Sequence, residues 1–196
     1  MMLQNVSLLE SILIKMYTIQ NIHIGIKNES KFKRAFSLLF QFIDEQGWSG
    51  ACHPSVAVLF AICKKLGIQA TPCIGEAGIN GAAFDHSWLL INGKVFDVAI
   101  VWPLNESFAT GPIFNGIDLY EQREAEIDYG AFYRGLDNEA KTIFVKDIYT
   151  YIIEAPNDLL FDLIVSIGDA IGLTITKEWL NKNLSNCRWE YVCKKK

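Results

Sequence analysis

The sequence predicts an α+β fold, in which one central helix packs on an antiparallel β-sheet and further helices lie toward both termini. Three observations predict it. Before Gly67, apolar residues recur at helical spacing. After Gly67 the pattern turns strand-like. Asn92-Gly93, between two apolar runs, is a strong signal for a two-residue hairpin turn.

Residues 5–18 carry apolar positions compatible with a first helix. Phe32, Phe36, Leu39, Phe40 and Ile43 then form a single helical stripe, with Ser30 as its expected N-cap and Gly47 as its stop. Pro54 near one end and Gly67 at the other bracket a helix over 53–66, with Val56, Leu59, Phe60 and Cys63 at helical spacing. Cys52 therefore falls at or just before a helix N-terminus. Strands are expected over 68–74, 82–91 and 94–100. Residues 101–136 are rich in Gly, Phe and Tyr and lack a clear period, which suits a loop framing a site or short extra strands. Helices over 139–153, 158–171 and 175–184 are expected to cover the core. The length of 196 residues suits one domain, with a core over 28–100 and an extension over 101–196.

Composition narrows the function. The net charge of −4 gives no general nucleic-acid footprint. The basic run Lys194-Lys195-Lys196 reads as a solvated tail. No stretch reaches the ~18 apolar residues of a membrane span, and the first twenty residues lack the pattern of an export signal. Five cysteines without such a signal (Cys52, Cys63, Cys73, Cys187 and Cys193) suit reduced thiols and a cytoplasmic location. None has the short spacing of a zinc knuckle, so zinc is not expected, and covalent chemistry at a thiol requires neither a metal nor an organic cofactor.

Cys52 carries the strongest chemical signal. A helix N-terminus lowers a thiol pKa, and the small residues Gly50 and Ala51 would let a substrate backbone approach. The hairpin register adds a partner. With Asn92-Gly93 as the turn, Leu90 faces Val95, Trp88 faces Asp97 and His86 faces Ala99. His86, Trp88 and Asp97 then share one face of the sheet, with His86 and Asp97 as diagonal neighbours. A carboxylate on one ring nitrogen orients the other nitrogen as a base. Asp85 falls on the opposite face. His53 is adjacent to Cys52, but neighbours at a helix start point apart, so it is expected at the surface or the rim of the site. His23 reads as structural.

The stretch Gly50 to Ile100 resembles the core of the transglutaminase-like cysteine-enzyme superfamily, which has a papain-like fold. The resemblance lies in Gly50-Ala51-Cys52, Asp85-His86-Ser87-Trp88 and Gly93-Lys94-Val95-Phe96-Asp97, in the order Cys, His, Asp. It is closest to compact bacterial members, which include leader-peptide proteases of lasso-peptide maturation. It implies a nucleophile at Cys52, a base at His86 and an orienting acid at Asp97. A shorter resemblance, Gln46-Gly47-x-x-Gly50-x-Cys52, matches the spacing in papain-like proteases and implies an oxyanion donor at Gln46.

The expected function is thus acyl transfer on amide bonds through a thioester, with a peptide or protein substrate and a peptidase or amidase as the first reading. Trp48, Gly50 and Trp88 are expected to touch the substrate. Trp48, Phe84, Trp88 and Trp102 read first as core residues; as the lining of a site that excludes water they would favour an amine acceptor, as in a transglutaminase. Other readings are a deamidase, a catalytically silent peptide- or protein-binding module, and an arylamine N-acetyltransferase. The last shares the order of the three residues but has an arginine-containing approach to its cysteine that is missing here.

Overall fold

Residues 19–194 are described by the computed structural model, so the helix expected over 5–18 lies outside the described residues. The chain is mixed α and β. Helix α1 (Glu29–Gln46) buries the expected stripe from Phe32 to Ile43. It ends where Gly47 turns left-handed (φ 53°) and Trp48 N–H reaches back to the Ile43 carbonyl. Its N-cap position is Asn28 rather than Ser30. The Asn28 side chain donates instead to the Leu66 carbonyl, tying the start of α1 to the end of the next helix.

Helix α2 (Cys52–Leu66) is buried on nearly every side, as its apolar sequence requires, and stops at left-handed Gly67. Strands β1 (Thr71–Ile79), β2 (Ala82–Ile91) and β3 (Lys94–Phe96) follow as an antiparallel meander. Asn92-Gly93 makes the expected turn with both φ angles positive, and Asn80-Gly81 makes the same turn between β1 and β2. The register of the second hairpin is the expected one, with Leu90 opposite Val95 and Ile91 opposite Lys94.

Three expectations are corrected. β3 ends at Phe96, three residues before Ala99–Val101 form a single 3₁₀ turn. The sheet is mixed, not antiparallel. Its order is β3-β2-β1-β7, where β7 is Asp128–Ala131, and β8 (Glu190–Val192) lies parallel to the first half of β1. That approach needs Gly75, because a Cβ there would sit 2.4 Å from the Val192 carbonyl oxygen. The helix expected over 139–153 is broken into α3 (Asn138–Phe144) and α4 (Ile148–Ile153), because the Asp147 side chain accepts the Thr150 N–H and caps a new start.

Between β3 and β7, the short strands β4 (Ile113–Phe114), β5 (Ile117–Asp118) and β6 (Arg123–Glu124) form a small second sheet. Helices α5 (Leu159–Ala170) and α6 (Lys177–Leu184) share one apolar core with α1, α2 and the near face of the main sheet. Trp88, Tyr129, Ile100 and Ile113 fill a smaller core on the opposite face. Lys194 is no free tail residue, since its ammonium lies 2.8 Å from Asp128.

Phe96 anchors the end of β3. Its ring meets Phe32 and Phe114 edge-on, with centroids 5.3 and 5.0 Å away. Phe96→Ala is expected to cost about 3–5 kcal/mol in denaturant unfolding. A loss below about 1 kcal/mol would show that the site can collapse and that this cluster does not hold the strand.

Candidate active site

Cys52 is the first residue of α2, so its N–H belongs to the first turn, whose amides have no intrahelical acceptor. The approach to it is fixed by Gly50. This residue is left-handed (φ +74°), donates its N–H to the Trp102 carbonyl at 3.2 Å, and would bring a Cβ to 3.3 Å from Leu104.

His86 and Asp97 meet as the hairpin register requires. The ring Nε2 of His86 lies 2.6 Å from Asp97 Oδ2, with both side chains buried. Since Asp97 occupies Nε2, Nδ1 is the nitrogen left for the thiol. Asp97 is held by more than His86. Tyr129 donates its hydroxyl proton to Oδ2 at 2.8 Å, and the amides of Ala99 and Ile100 donate to Oδ1. The backbone of Asp97 also exchanges two hydrogen bonds with Ile113, at 2.8 and 2.7 Å. The early end of β3 is what makes this possible. Had Ala99 continued the strand opposite His86, its amide and that of Ile100 would not turn back onto the carboxylate as in a capped helical turn.

Electrostatics couple these groups. Burial by itself would raise the Cys52 pKa. The charge and hydrogen bond of His53, together with the hydrogen bond and charge of His86, outweigh it and hold the thiol at about 5. For His86, burial opposes protonation, but the charge and hydrogen bond of Asp97, then those of Cys52, raise it to about 10. A thiolate beside an imidazolium is thus the favoured state between about pH 5 and about pH 10. Cys63 and Cys73 are pushed the other way by burial, Cys73 to about 12.

Cys52, His53 and His86 open into a cavity of about 180 Å³. Phe84, Trp102, Pro103, Leu104 and Phe108 form an apolar side, while Asp85, Arg134, Asp137 and Glu139 form a charged one. Asp85 is on the opposite face of β2 from His86, as expected, and takes a hydrogen bond from Arg134 at 3.1 Å.

Gly50 lines this cavity, but the expected oxyanion donor Gln46 and the expected substrate contacts Trp48 and Trp88 do not. Gln46 is exposed at the end of α1 and outside the lining. Trp48 packs edge-on against Phe42 and borders a different cavity near Tyr151. Trp88 is on the His86 face but 1% exposed, covered by Tyr129 at a ring distance of 5.0 Å. His53 also departs from expectation. It is buried, with Nδ1 2.7 Å from Ser87 Oγ, and it lines the cavity. His23 is exposed and bonds to Glu29.

Tyr129 was beyond sequence reasoning, because nothing local links it to Asp97 across 32 residues. The His53–Ser87 pair had a signal. It follows Cys52 and His86 by one residue each, so the offset that joins thiol to base also joins this second pair.

No family model, no curated protein and no solved structure matches this chain. Among the described residues, no group of three or more His, Cys, Asp or Glu side chains is placed to hold a metal ion, and no helix is long and apolar enough to cross a membrane.

Iodoacetamide should label Cys52 ahead of the other four thiols, with a rate that inflects near pH 5. An inflection near the ~8.5 of a free thiol would show that the imidazoles do not ionise it.

Proposed function

We propose that this chain is a transglutaminase-like cysteine enzyme that hydrolyses amide bonds in peptides or proteins. The observation that carries the proposal is the buried 2.6 Å bond between His86 and Asp97, with His86 lining the same cavity as Cys52 at the head of α2. The Cys52 thiolate attacks the carbonyl carbon. Its own N–H, at the positive end of α2, is aimed where negative charge grows on the oxygen. The C–N bond breaks as His86 passes its Nδ1 proton to the leaving nitrogen, and a thioester to Cys52 remains. Water, deprotonated by His86, then attacks the thioester, and sulfur leaves as the thiolate. Asp97 keeps its charge throughout and holds the ring in one tautomer.

Water is favoured over an amine as the acceptor by the position of the tryptophans. Of the four aromatic residues whose lining would favour an amine, Trp48 and Trp88 lie away from the cavity, while Phe84 and Trp102 line it. The wall formed by Leu104, Phe108 and Phe84 suits an apolar group next to the scissile bond.

An activated ester such as p-nitrophenyl acetate tests this. One equivalent of p-nitrophenol should appear in a burst, with the acetyl group mapped to Cys52. Cys52→Ala should show no burst. Asp97→Asn should slow it by on the order of 10²–10⁴-fold, and Gln46→Ala should leave it unchanged. A chain that gives no burst, or gives one equally in Cys52→Ala, is not an enzyme of this kind.

A further inference from the structure

We infer that His53 is a positioning residue that shares the Cys52 sulfur with His86 and is itself held in place by Ser87. The inference deepens the proposed function and rests on Cys52 being the nucleophile.

Strand β2 builds both halves of this arrangement. Successive residues of a strand point to opposite faces, so His86 emerges on one side and Ser87 on the other. His86 meets Asp97 and Tyr129 in the smaller core. Ser87 is 0% exposed and turns toward α2, where its hydroxyl lies 2.7 Å from His53 Nδ1. Cys52 and His53 are consecutive at the start of α2, and both line the cavity with His86. With Nδ1 against Ser87, the other ring nitrogen of His53 is the one free to donate. When Ser87 donates to Nδ1, the neutral ring carries its hydrogen on Nε2. When the ring is protonated, it carries one there as well. Trp189 packs edge-to-face on the same ring, 6.1 Å between centroids.

Such a partner has a use that His86 cannot serve. His86 gives up its proton to the leaving nitrogen, and the sulfur would then lose its counter-charge. His53 keeps its proton. Its hydrogen bond to the Cys52 sulfur is made before attack and can re-form when the thioester breaks, so the expelled thiolate is received by a donor held beside it. The charged groups around it are Cys52 and His86, Glu139 from α3, and Asp85, Arg134 and Asp137 across the cavity. The Tyr151 hydroxyl on α4 stays neutral, its pKa raised by burial, the Cys52 charge and Glu139. Burial disfavours charge on His53, but Cys52 raises its pKa, His86 opposes, and Glu139 again raises it; the balance is a rise.

The test is the pH profile of iodoacetamide alkylation at Cys52, followed by peptide mass spectrometry, for the full-length wild type, His53→Gln and Ser87→Ala. The inflection should rise by about 1–2 pH units in His53→Gln and by less in Ser87→Ala, which keeps the ring but frees it. The plateau rate at alkaline pH, where Cys52 is ionised in every variant, should be kept or rise by a few-fold as the thiolate becomes more basic, and this reports an intact site. A His53→Gln profile that superimposes on the wild type, with the plateau preserved, overturns the role. If His53→Gln does not fold, Ser87→Ala decides in the same way. A wild-type inflection in the ordinary thiol range, together with an upward shift in His53→Gln, would instead overturn only the nucleophile assignment.

Discussion

The carboxylate of Asp97 is the constraint around which the rest is arranged. A buried carboxylate is costly unless it is paired and hydrogen-bonded. It offers about four lone-pair sites, and four donors fill them: the His86 ring, the Tyr129 hydroxyl, and the amides of Ala99 and Ile100. They come from three separate stretches of chain. β2, the turn after β3 and β7 must all be in place before the charge is satisfied. Hydrogen bonds to a charged group are worth about 1.5–3 kcal/mol each, so the site and the local fold stand or fall together.

This gives residues beyond 100 a definite part. The turn at Ala99–Val101 supplies two donors. The chain then builds the apolar wall at Trp102–Phe108, folds the small sheet, and returns as β7 alongside β1 to deliver Tyr129. The segment after β7 is fixed from below by Glu76, a buried carboxylate that accepts the amides of Tyr133, Arg134 and Gly135 and thereby positions Arg134 at the cavity. These contacts make the C-terminal half part of the site and not only a cover for it.

What could be read in the sequence was local and periodic. The start of α2, its stop at Gly67 and the Asn92-Gly93 turn follow from residue type at fixed spacing. The meeting of His86 and Asp97 follows from counting outward along a hairpin. The failures share a cause: each depended on what lies opposite in three dimensions. Trp88 has the expected facing, but Tyr129 arrives from distant sequence to bury it. Gln46 stays outside because left-handed Gly47 reverses the chain and tucks Trp48 back against Phe42. The parallel strand β8 closes on β1 through a contact only Gly75 permits. β3 ended early because the amides of Ala99 and Ile100 bond to a side chain, which competes with the ladder. The direction of neighbours at a helix start places His53 at the rim, whereas Ser87 on β2 holds it in the interior.

The central claim is that Cys52 and His86 share their proton in favour of nitrogen, under the control of Asp97. Nitrogen-15 chemical shifts of the His86 ring, followed across pH in the native chain, measure this directly. The account predicts an imidazolium at neutral pH that loses its proton near pH 10, a lower titration in Cys52→Ala, and a larger fall in Asp97→Asn. A neutral His86 ring at pH 7, beside an un-ionised Cys52, would contradict it.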